Sequence, residues 1–171
     1  KFEAAGLTFA EKVQLIDAVV SKIPQGKMNN MVIALKNYDG DVVSDQVAGE
    51  HKSLGLMDST LVSADGILLA DPPHGTAPDL EPAWHEKGVL LANPSAHIFA
   101  YAEAIRHKAE INGQDEIVEK AKLLKHAVVA TIEAGLKSWA LTGDLSPDKS
   151  KAISGQEFIA HVRDKFSEMI A

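Results

Sequence analysis

Residues 31–45 read MVIALKNYDGDVVSD, and this stretch contains the signals that decide the fold class. Its first five residues form a continuous apolar run, whose length and flanks favour a buried β-strand. Tyr38-Asp39-Gly40 is a turn signal, and apolar side chains after it have a weak helical spacing. The order of strand, turn and helix is the first indication of a mixed α/β protein.

The sequence before this stretch predicts an amphipathic helix. Thr8-Phe9-Ala10-Glu11 has the capping-box pattern that marks the start of a helix. Apolar residues follow at helical spacing as far as Ile23, and Pro24-Gln25-Gly26 ends the helix. Asp17 borders the apolar face of this helix.

The sequence after this stretch predicts a β-hairpin and then a helical C-terminal half. Two short apolar strands, 60–62 and 67–69, flank the turn Ala64-Asp65-Gly66, and Pro72-Pro73 ends the second strand. The strand count is low for a complete sheet. The boundaries of the later helices are marked by Asn93-Pro94, Asn112-Gly113, Gly135 and a second capping box, Ser154-x-x-Glu157.

Composition excludes several classes of protein. The chain has 171 residues, enough for one domain with a sizeable core, and 46% of them are hydrophobic. With 17 Lys and Arg against 24 Asp and Glu, the net charge is −7, so nucleic acid and anionic membranes are poor partners. No apolar stretch approaches the ~20 residues of a membrane helix. The lack of cysteine excludes disulfides, thiolate metal sites and a cysteine nucleophile.

Two aspartates in the opening stretch form a candidate metal site. Asp41 and Asp45 lie four residues apart, so a helix would place both carboxylates on one face, where they repel each other unless a cation lies between them. Such oxygen ligands suit Mg²⁺ or Mn²⁺, and Asp39 adds a third carboxylate nearby. The alternative is a solvated turn, which the spacing alone favours. For Asp17, the alternative is an ordinary polar flank of its helix.

A loop after the second strand of the hairpin is a candidate ligand site. Residues 71–80 read DPPHGTAPDL, and a strand-to-loop junction of this kind commonly binds ligands in α/β proteins. Gly75 permits a close approach of the backbone to a ligand, and Asp79 is suited to accept hydrogen bonds from a ribose diol. The alternative is a proline-rich connection with a surface histidine. Asn93 has a competing interpretation as a helix N-cap.

Taken together, these motifs resemble the isocitrate/isopropylmalate dehydrogenase family of metal-dependent β-decarboxylating dehydrogenases, and isocitrate dehydrogenase within it. The set runs in family order with family-like spacing along nearly the whole chain, and as a set it is highly specific. The resemblance is carried by Leu15-Ile16-Asp17, Lys36-Asn37-Tyr38-Asp39-Gly40-Asp41, Ser44-Asp45, Ser53-Leu54-Gly55, His74-Gly75-Thr76, Asn93-Pro94, Ile98-Phe99-Ala100 and Thr131-Ile132-Glu133-Ala134-Gly135.

The resemblance implies a role for each aspartate of the candidate metal site. Asp41 and Asp45 match the residues that hold the divalent metal, Mg²⁺ or Mn²⁺, within one subunit. Asp17 matches the aspartate that reaches the metal of the neighbouring subunit in the dimer. These matches favour a functional role over the structural alternatives. Two departures from the family pattern weaken the case for activity: Ala18 replaces a second aspartate, and Glu50-His51-Lys52 stands where Gly-Tyr-Gly is usual.

The resemblance also implies a dinucleotide cofactor. The loop residues His74, Gly75, Thr76 and Asp79 match the cofactor loop, and Asn93 matches an adenine contact. Members of the NADP-using eukaryotic type have Arg and His after His-Gly-Thr, whereas Ala77-Pro78-Asp79 here resembles the NAD-using members. Because a carboxylate repels a 2′-phosphate, we expect NAD rather than NADP.

The implied reaction is oxidative decarboxylation of isocitrate to 2-oxoglutarate, with hydride transfer to the nicotinamide. The resemblance covers less than half of a family member. The uncovered N-terminal part carries the arginines that grip the substrate and the tyrosine and lysine of the acid–base steps. We therefore expect no catalytic residue in this chain, no turnover by the chain alone, and an exposed apolar surface where the missing strands would pack.

The expected architecture is an incomplete isopropylmalate/isocitrate dehydrogenase-like α/β fold. Residues 1–48 would form the end of the small domain, and residues 49–171 would form the C-terminal part of the large domain. The expected partner is a second copy in a homodimer or a chain that supplies the N-terminal half. The alternative is a truncated, non-catalytic homologue that acts as a structural or regulatory subunit. The sequence assigns no compartment, although the resemblance favours mitochondria over the cytosol.

Overall fold

A computed structural model describes residues 12–29, 31–51, 54–73, 81–88, 92–138, 141 and 152–171. The chain divides into two compact units, Lys1–Glu50 and His51–Ala171. The division follows the last residue of a helix, close to the boundary after Ala48 that the sequence suggests. The assignment of the two segments to a small and a large domain stays a prediction.

The first unit contains the helices α1, Ile16–Lys22, and α2, Asn37–Glu50. The predicted amphipathic helix is confirmed over α1, but it begins later than its apolar spacing suggests, because Leu15 is extended with ψ 145°. It ends where the proline and glycine signals place its end, and Gly26 has a φ of +67°. The capping box at residues 8–11 lies outside the described residues.

The predicted strand over residues 31–35 is wrong for this structure. The segment has no regular secondary structure, and Val32 is 100% exposed. A strand requires a neighbour that satisfies its backbone hydrogen bonds, and the described part of the first unit contains no strand that could be this neighbour. The apolar run therefore has the composition of a buried strand without the pairing that would make it one.

The turn predicted at Tyr38-Asp39-Gly40 is also wrong, because these residues form the first turn of α2. Asp39 lies in that first turn, where the positive end of the helix dipole favours a carboxylate. The weak helical spacing after Gly40 is confirmed. Val43 and Ala48 are the buried residues of α2.

The second unit contains two small sheets and four helices among its described residues. Strands β1 and β2 form an antiparallel pair, whereas β3 and β4 pair in parallel. The mixed α/β composition is confirmed, and the described residues contain four short strands, few for a complete sheet. In chain order the elements are a 3₁₀ turn Leu54–Leu56, β1 Ser59–Val62, β2 Leu68–Asp71, α3 Glu81–Lys87, α4 Ser95–Ile111, α5 Asp115–Glu133, β3 Lys137–Ser138, β4 Ala152–Ile153 and α6 Gly155–Ile170.

The predicted hairpin is confirmed by β1 and β2. Leu61 lies opposite Leu69 in its register, and Gly66 in the turn has a φ of +82°, a conformation that favours glycine. The Nε2 atom of His107 on α4 lies 2.9 Å from the carbonyl oxygen of Gly66. This contact fixes the tip of the hairpin against the helix.

The core of the second unit lies where α5 and α6 pack together. Phe158 on α6 is fully buried and packs with Ala127, Val128 and Val162. The capping box predicted at the start of α6 is confirmed: Glu157 N donates to the Ser154 hydroxyl oxygen at 3.2 Å, and Ser154 N donates to the Glu157 carboxylate at 2.8 Å. None of the helices in the described residues combines the length and apolarity needed to cross a membrane.

One side of the hairpin remains open to solvent. Leu61 is 62% exposed, Ile67 68% and Leu69 59%, although all three are large and apolar. In β2, the alternate residues Leu68 and Ala70 are less exposed, and β2 packs against α4. Among the described residues, α4 therefore covers only the Leu68 and Ala70 side of β2, and Val62 of β1, which lies opposite Leu68, is itself 61% exposed.

Candidate functional site

Helix α2 presents Asp41 and Asp45 one turn apart on an exposed stripe. Both residues lie within one continuous helix, so the prediction that their carboxylates share a helix face is confirmed. Asn37 lies one turn earlier on the same stripe, and its Nδ2 atom donates to Asp41 Oδ2 at 2.8 Å. This hydrogen bond orients one carboxylate and leaves its second oxygen, together with the Asp45 carboxylate, directed to solvent.

Asp17 lies in the first turn of α1 and is exposed. Its Oδ1 atom accepts a hydrogen bond from the Ala18 N–H at 2.7 Å. Within the residues that the structure describes, no three His, Asp or Glu side chains come close enough together to hold a metal ion. Asp17 therefore does not complete a three-carboxylate site with Asp41 and Asp45 in this chain.

The chemistry of the α2 stripe nevertheless fits a hard divalent cation. Mg²⁺ and Mn²⁺ take oxygen ligands, and Mg²⁺ is usually bound by one or two protein carboxylates together with water and substrate oxygens. Asp41 and Asp45 supply two such carboxylates, and a cation between them would offset their mutual repulsion. The stripe therefore offers two of the oxygen ligands that such a cation would need.

Most of the predicted cofactor loop cannot be placed. His74, Gly75, Thr76 and Asp79 lie outside the described residues. The structure does describe the strand before the loop, β2, which ends at Asp71 as the proline pair predicts. The cofactor role of these four loop residues therefore stays a prediction from the sequence.

Asn93 is the one predicted cofactor residue that the structure places. It is 7% exposed and precedes α4. Its Nδ2 atom donates to the Gly55 carbonyl oxygen at 2.8 Å, and its Oδ1 atom accepts from Ser95 N at 3.1 Å and from Ser95 Oγ at 2.8 Å. The predicted N-cap position is wrong by one residue, since Pro94 is the N-cap and α4 begins at Ser95. The Asn93 side chain still satisfies a backbone N–H at this helix end.

The sequence did not predict an ionic cluster that connects the start of the hairpin to α4 and α5. Lys125 Nζ lies 2.8 Å from Asp58 Oδ2 and 3.1 Å from Glu103 Oε2. Arg106 pairs with Glu103 and with Glu110. The two Arg106 pairs have the i,i+3 and i,i+4 spacing of a helix face, which the sequence could have indicated. No local pattern signals the contacts of Lys125, because it is 67 residues from Asp58 and 22 from Glu103.

The cluster shifts the ionisation of its members. Hydrogen bonds from Arg106 lower the pKa of Glu103 to about 2 from an ordinary 4.5; burial opposes this shift, and Lys125 reinforces it. Burial alone would lower the pKa of Lys125, but hydrogen bonds to Asp58 and Glu103 raise it overall. These groups therefore stay charged at neutral pH and act as a fixed support for the hairpin.

Comparison with known proteins connects this arrangement to one family. A sequence profile described as isocitrate/isopropylmalate dehydrogenase matches residues 3–162. Isocitrate dehydrogenase [NADP] 1 of Mycobacterium tuberculosis is 35% identical over an alignment of 172 residues that covers 100% of this chain and 41% of the relative. Isocitrate dehydrogenase [NADP] of Saccharomyces cerevisiae is 33% identical over an alignment of 177 residues that covers 99% of this chain and 40% of the relative.

A solved structure agrees in fold. The crystal structure of isocitrate dehydrogenase from Ostreococcus tauri in complex with isocitrate and magnesium(II) matches with a TM-score of 0.72 and 26% identity. The match covers 95% of this chain and 41% of that chain. The chain thus spans about two fifths of the length of the relatives that it matches, and its mixed helices and strands form part of their fold.

Proposed function

Because the chain belongs to the isocitrate/isopropylmalate dehydrogenase family, we propose that it supplies the metal-binding aspartates and the cofactor loop of an isocitrate dehydrogenase. The observation that carries the proposal is the position of Asp41 and Asp45, one turn apart on an exposed stripe of α2, within a chain that matches the family over residues 3–162. Two like charges at this spacing repel each other unless a cation lies between them.

The proposed reaction is the oxidative decarboxylation of isocitrate to 2-oxoglutarate. Asp41 and Asp45 would hold Mg²⁺ or Mn²⁺, with Asn37 fixing the orientation of the Asp41 carboxylate. Asp17 would reach the metal of a second subunit in a dimer. The bound cation would polarise the substrate hydroxyl and the carbonyl formed from it.

The proposed cofactor site combines the loop residues His74, Gly75, Thr76 and Asp79 with Asn93. Three of the four hydrogen-bonding positions of the Asn93 amide are used by Gly55 and Ser95. One N–H remains for an adenine, and the Gly55 contact fixes where that N–H points. Asn93 would therefore both bind the nucleotide and hold the start of α4 in position.

We favour NAD as the cofactor, on the strength of Asp79 alone. The two relatives compared above carry NADP in their names, so they do not support this preference. A carboxylate facing the ribose would accept hydrogen bonds from the 2′- and 3′-hydroxyls of NAD, but it would repel the 2′-phosphate of NADP.

The chain by itself is not expected to turn over isocitrate. The resemblance places the substrate-gripping arginines and the acid–base tyrosine and lysine in the part of the family that this chain does not cover. Acid–base groups of that kind contribute roughly 10²–10⁴-fold to rates. Activity would therefore require the N-terminal part of the family fold in addition to the residues of this chain.

A second candidate function is that of a non-catalytic structural or regulatory subunit. It is favoured by Glu50-His51-Lys52, which departs from the pattern that the family resemblance implies. Such a subunit would need no cation at Asp41 and Asp45. Metal binding therefore discriminates between the two functions.

The test is a Mn²⁺ titration of the complex that contains this chain. Binding is monitored by the paramagnetic enhancement of the water-proton relaxation rate. We expect one saturable site per chain, which Asp41→Asn abolishes. Glu50→Gln is the matched control, since it removes one charge from the same helix and should leave the site intact. A complex that binds no Mn²⁺, or binds it equally well with Asp41→Asn, would exclude the enzyme function and leave the structural subunit.

A further inference from the structure

Asn93 and Ser95 form a buried polar network where the segment before α4 meets the 3₁₀ turn Leu54–Leu56. Asn93 is 7% exposed, and Ser95 is fully buried. Asn93 Nδ2 donates to the Gly55 carbonyl oxygen at 2.8 Å, and Asn93 Oδ1 accepts from Ser95 N at 3.1 Å and from Ser95 Oγ at 2.8 Å. Both polar atoms of the amide are therefore engaged, and two of their three partners are backbone groups.

The two backbone partners allow only one orientation of the Asn93 amide. The Ser95 N–H can only donate a hydrogen bond, and the Gly55 carbonyl can only accept one. An amide turned over about its last torsion would place its NH₂ group against the Ser95 N–H and its oxygen against the Gly55 carbonyl oxygen. Because these atoms are buried, such unsatisfied contacts are costly. The amide oxygen therefore faces the start of α4, and the amide nitrogen faces the 3₁₀ turn.

The Ser95 hydroxyl uses the remaining acceptor capacity of the Asn93 side chain. An amide oxygen has two lone pairs, and the N–H and the hydroxyl of Ser95 occupy both. The amide nitrogen carries two N–H groups, and only one of them donates to Gly55 in the part of the chain that the structure describes. The side chain can therefore offer a ligand a hydrogen-bond donor, but not an acceptor.

We propose that Ser95 is a positioning residue for the dinucleotide, through which Asn93 recognises a ring nitrogen of the adenine rather than its exocyclic amino group. The inference rests on the proposed function, which places Asn93 against the adenine, and it adds the polarity of that contact and the residue that imposes it. A ring nitrogen accepts hydrogen bonds, whereas the amino group requires an acceptor that Asn93 does not have free.

Ser95 acts through Asn93, because it is itself fully buried. The last torsion of an asparagine side chain is broad, so an amide held by few contacts samples many orientations. Each hydrogen bond of the network reduces the side-chain freedom that is lost when a ligand binds. Removal of the Ser95 hydroxyl should therefore weaken specifically the contact between the Asn93 N–H and the base.

The test compares dissociation constants from isothermal titration calorimetry. The protein is the assembled form, in which this chain is accompanied by the N-terminal part of the family fold. The probes are NAD, three analogues in which N1, N3 or N7 of the adenine is replaced by C–H, and one analogue that lacks the 6-amino group. One of the three ring analogues should bind roughly three- to tenfold more weakly than NAD, because it lacks the acceptor for the Asn93 N–H.

The decisive quantity is how these ratios change in the Ser95→Ala variant. The ratio for the affected ring analogue should fall toward one, whereas the ratio for the analogue without the amino group should stay as it is. A change confined to the analogue without the amino group would overturn the inference. Equal weakening of NAD and of all four analogues would also overturn it, because it would show that Ser95 has a structural role only.

Two further variants control for stability. Ser95→Thr retains a hydroxyl and should restore the ratio. Ser138→Ala is the matched control, because it is the same substitution at an equally buried serine whose hydroxyl has no hydrogen-bond partner among the described residues. This variant should leave every ratio unchanged. A change of the same size in Ser138→Ala and in Ser95→Ala would contradict the assigned role of the Ser95 hydroxyl.

Nuclear magnetic resonance of the unaltered protein tests the inference even if Ser95→Ala does not fold. The two Nδ2 protons of Asn93 have different surroundings and should give separate resonances. Addition of NAD should move the resonance of the proton that is not bonded to Gly55 and leave the other nearly unchanged. If NAD binds and neither resonance moves, the inference fails and the proposed function stands. If no dinucleotide binds, the proposed function fails and the inference fails with it.

Discussion

The side-chain amide of Asn93 donates a 2.8 Å hydrogen bond to the carbonyl oxygen of Gly55, across 38 residues of sequence. The contact joins the 3₁₀ turn before the hairpin to the residues that begin α4. A Cβ atom at position 55 would lie only 2.7 Å from Asn93 Nδ2, closer than real Cβ contacts allow. The hydrogen bond therefore requires glycine at position 55, because any side chain there would occupy the space of the Asn93 amide.

Replacing Gly55 by alanine should destabilise the second unit by about 1–3 kcal/mol, because the new methyl group displaces the Asn93 amide. Asn93→Ala should cost a similar amount, since it leaves the Gly55 carbonyl without its partner. The double variant should cost clearly less than the sum of the two single variants, because both substitutions disrupt the same contact between residues 55 and 93. Urea unfolding, monitored by tryptophan fluorescence, measures the free energies of unfolding of the three variants. Both tryptophans, at positions 84 and 139, belong to this unit.

Gly49→Ala is the matched control for that cycle. A Cβ atom at position 49 meets nothing within 4 Å, and the residue lies inside α2. Alanine there should be neutral or stabilising by up to about 1 kcal/mol for the first unit, with the tryptophan signal unchanged. Strictly additive losses for the Gly55 and Asn93 variants would show that the two residues act independently.

The ionic cluster around Glu103 should make the second unit sensitive to acid. Because Arg106 lowers the pKa of Glu103 to about 2, the folded state binds this proton less readily than the unfolded state does. The stabilisation is fully present above the ordinary value of 4.5, and it is lost as the pH falls from 4.5 toward about 2. Glu103→Gln should therefore cost about 1–3 kcal/mol at pH 7 and distinctly less at pH 3.

Urea unfolding of the unaltered chain and of the Glu103→Gln variant, each at pH 7 and at pH 3, measures how the cost of the substitution changes with pH. Glu119→Gln is the control, because Glu119 forms an exposed pair with Lys122 on α5. An exposed pair of that kind contributes about 0–1 kcal/mol, so its loss should be small. A cost of Glu103→Gln that is equal at pH 7 and pH 3 would contradict the assigned role of the carboxylate.

Local signals in the sequence predicted those elements whose determinants are local. The hairpin around Gly66 and the capping box of Ser154 and Glu157 are both confirmed, because a turn conformation and a helix start depend on a few adjacent residues. The shared face of Asp41 and Asp45 is confirmed for the same reason, since only the helix that contains them is required.

Features that depend on distant neighbours were not predictable in this way. The run 31–35 was expected to be a buried strand, but strand formation depends on a pairing partner that the described part of its unit does not contain. The contacts of Asn93 with Gly55 and of Lys125 with Asp58 join residues 38 and 67 positions apart, and no periodicity encodes them. The resemblance to a family identified Gly55 and Asn93 as motif residues without indicating that they touch.

The start of α6 should depend on its capping box. Ser154→Ala removes the acceptor for the Glu157 N–H and should cost about 1 kcal/mol, because the core residue Phe158 on α6 is positioned by this turn. Ser154→Asp should retain most of the stability, since aspartate also caps helices. Ser167→Ala on the same helix is the control, because its hydroxyl only donates back to the Arg163 carbonyl. Equal thermal stability of the Ser154→Ala and Ser167→Ala variants would show that the cap is dispensable.

The proposed preference for NAD depends on the charge of Asp79 and can be tested without turnover. In the complex with the N-terminal half, Asp79→Ser should strengthen the binding of NADP and weaken that of NAD, because the carboxylate no longer repels the 2′-phosphate or accepts from the ribose hydroxyls. A change of roughly tenfold in the ratio of the two dissociation constants is expected, which corresponds to about 1.4 kcal/mol. Isothermal titration calorimetry with each dinucleotide gives this ratio directly.

Asp65→Ser, in the exposed turn of the hairpin, removes the same charge and should leave the ratio unchanged. Tighter binding of NADP than NAD by the unaltered complex would show that Asp79 does not face the ribose, in keeping with the NADP-dependent relatives.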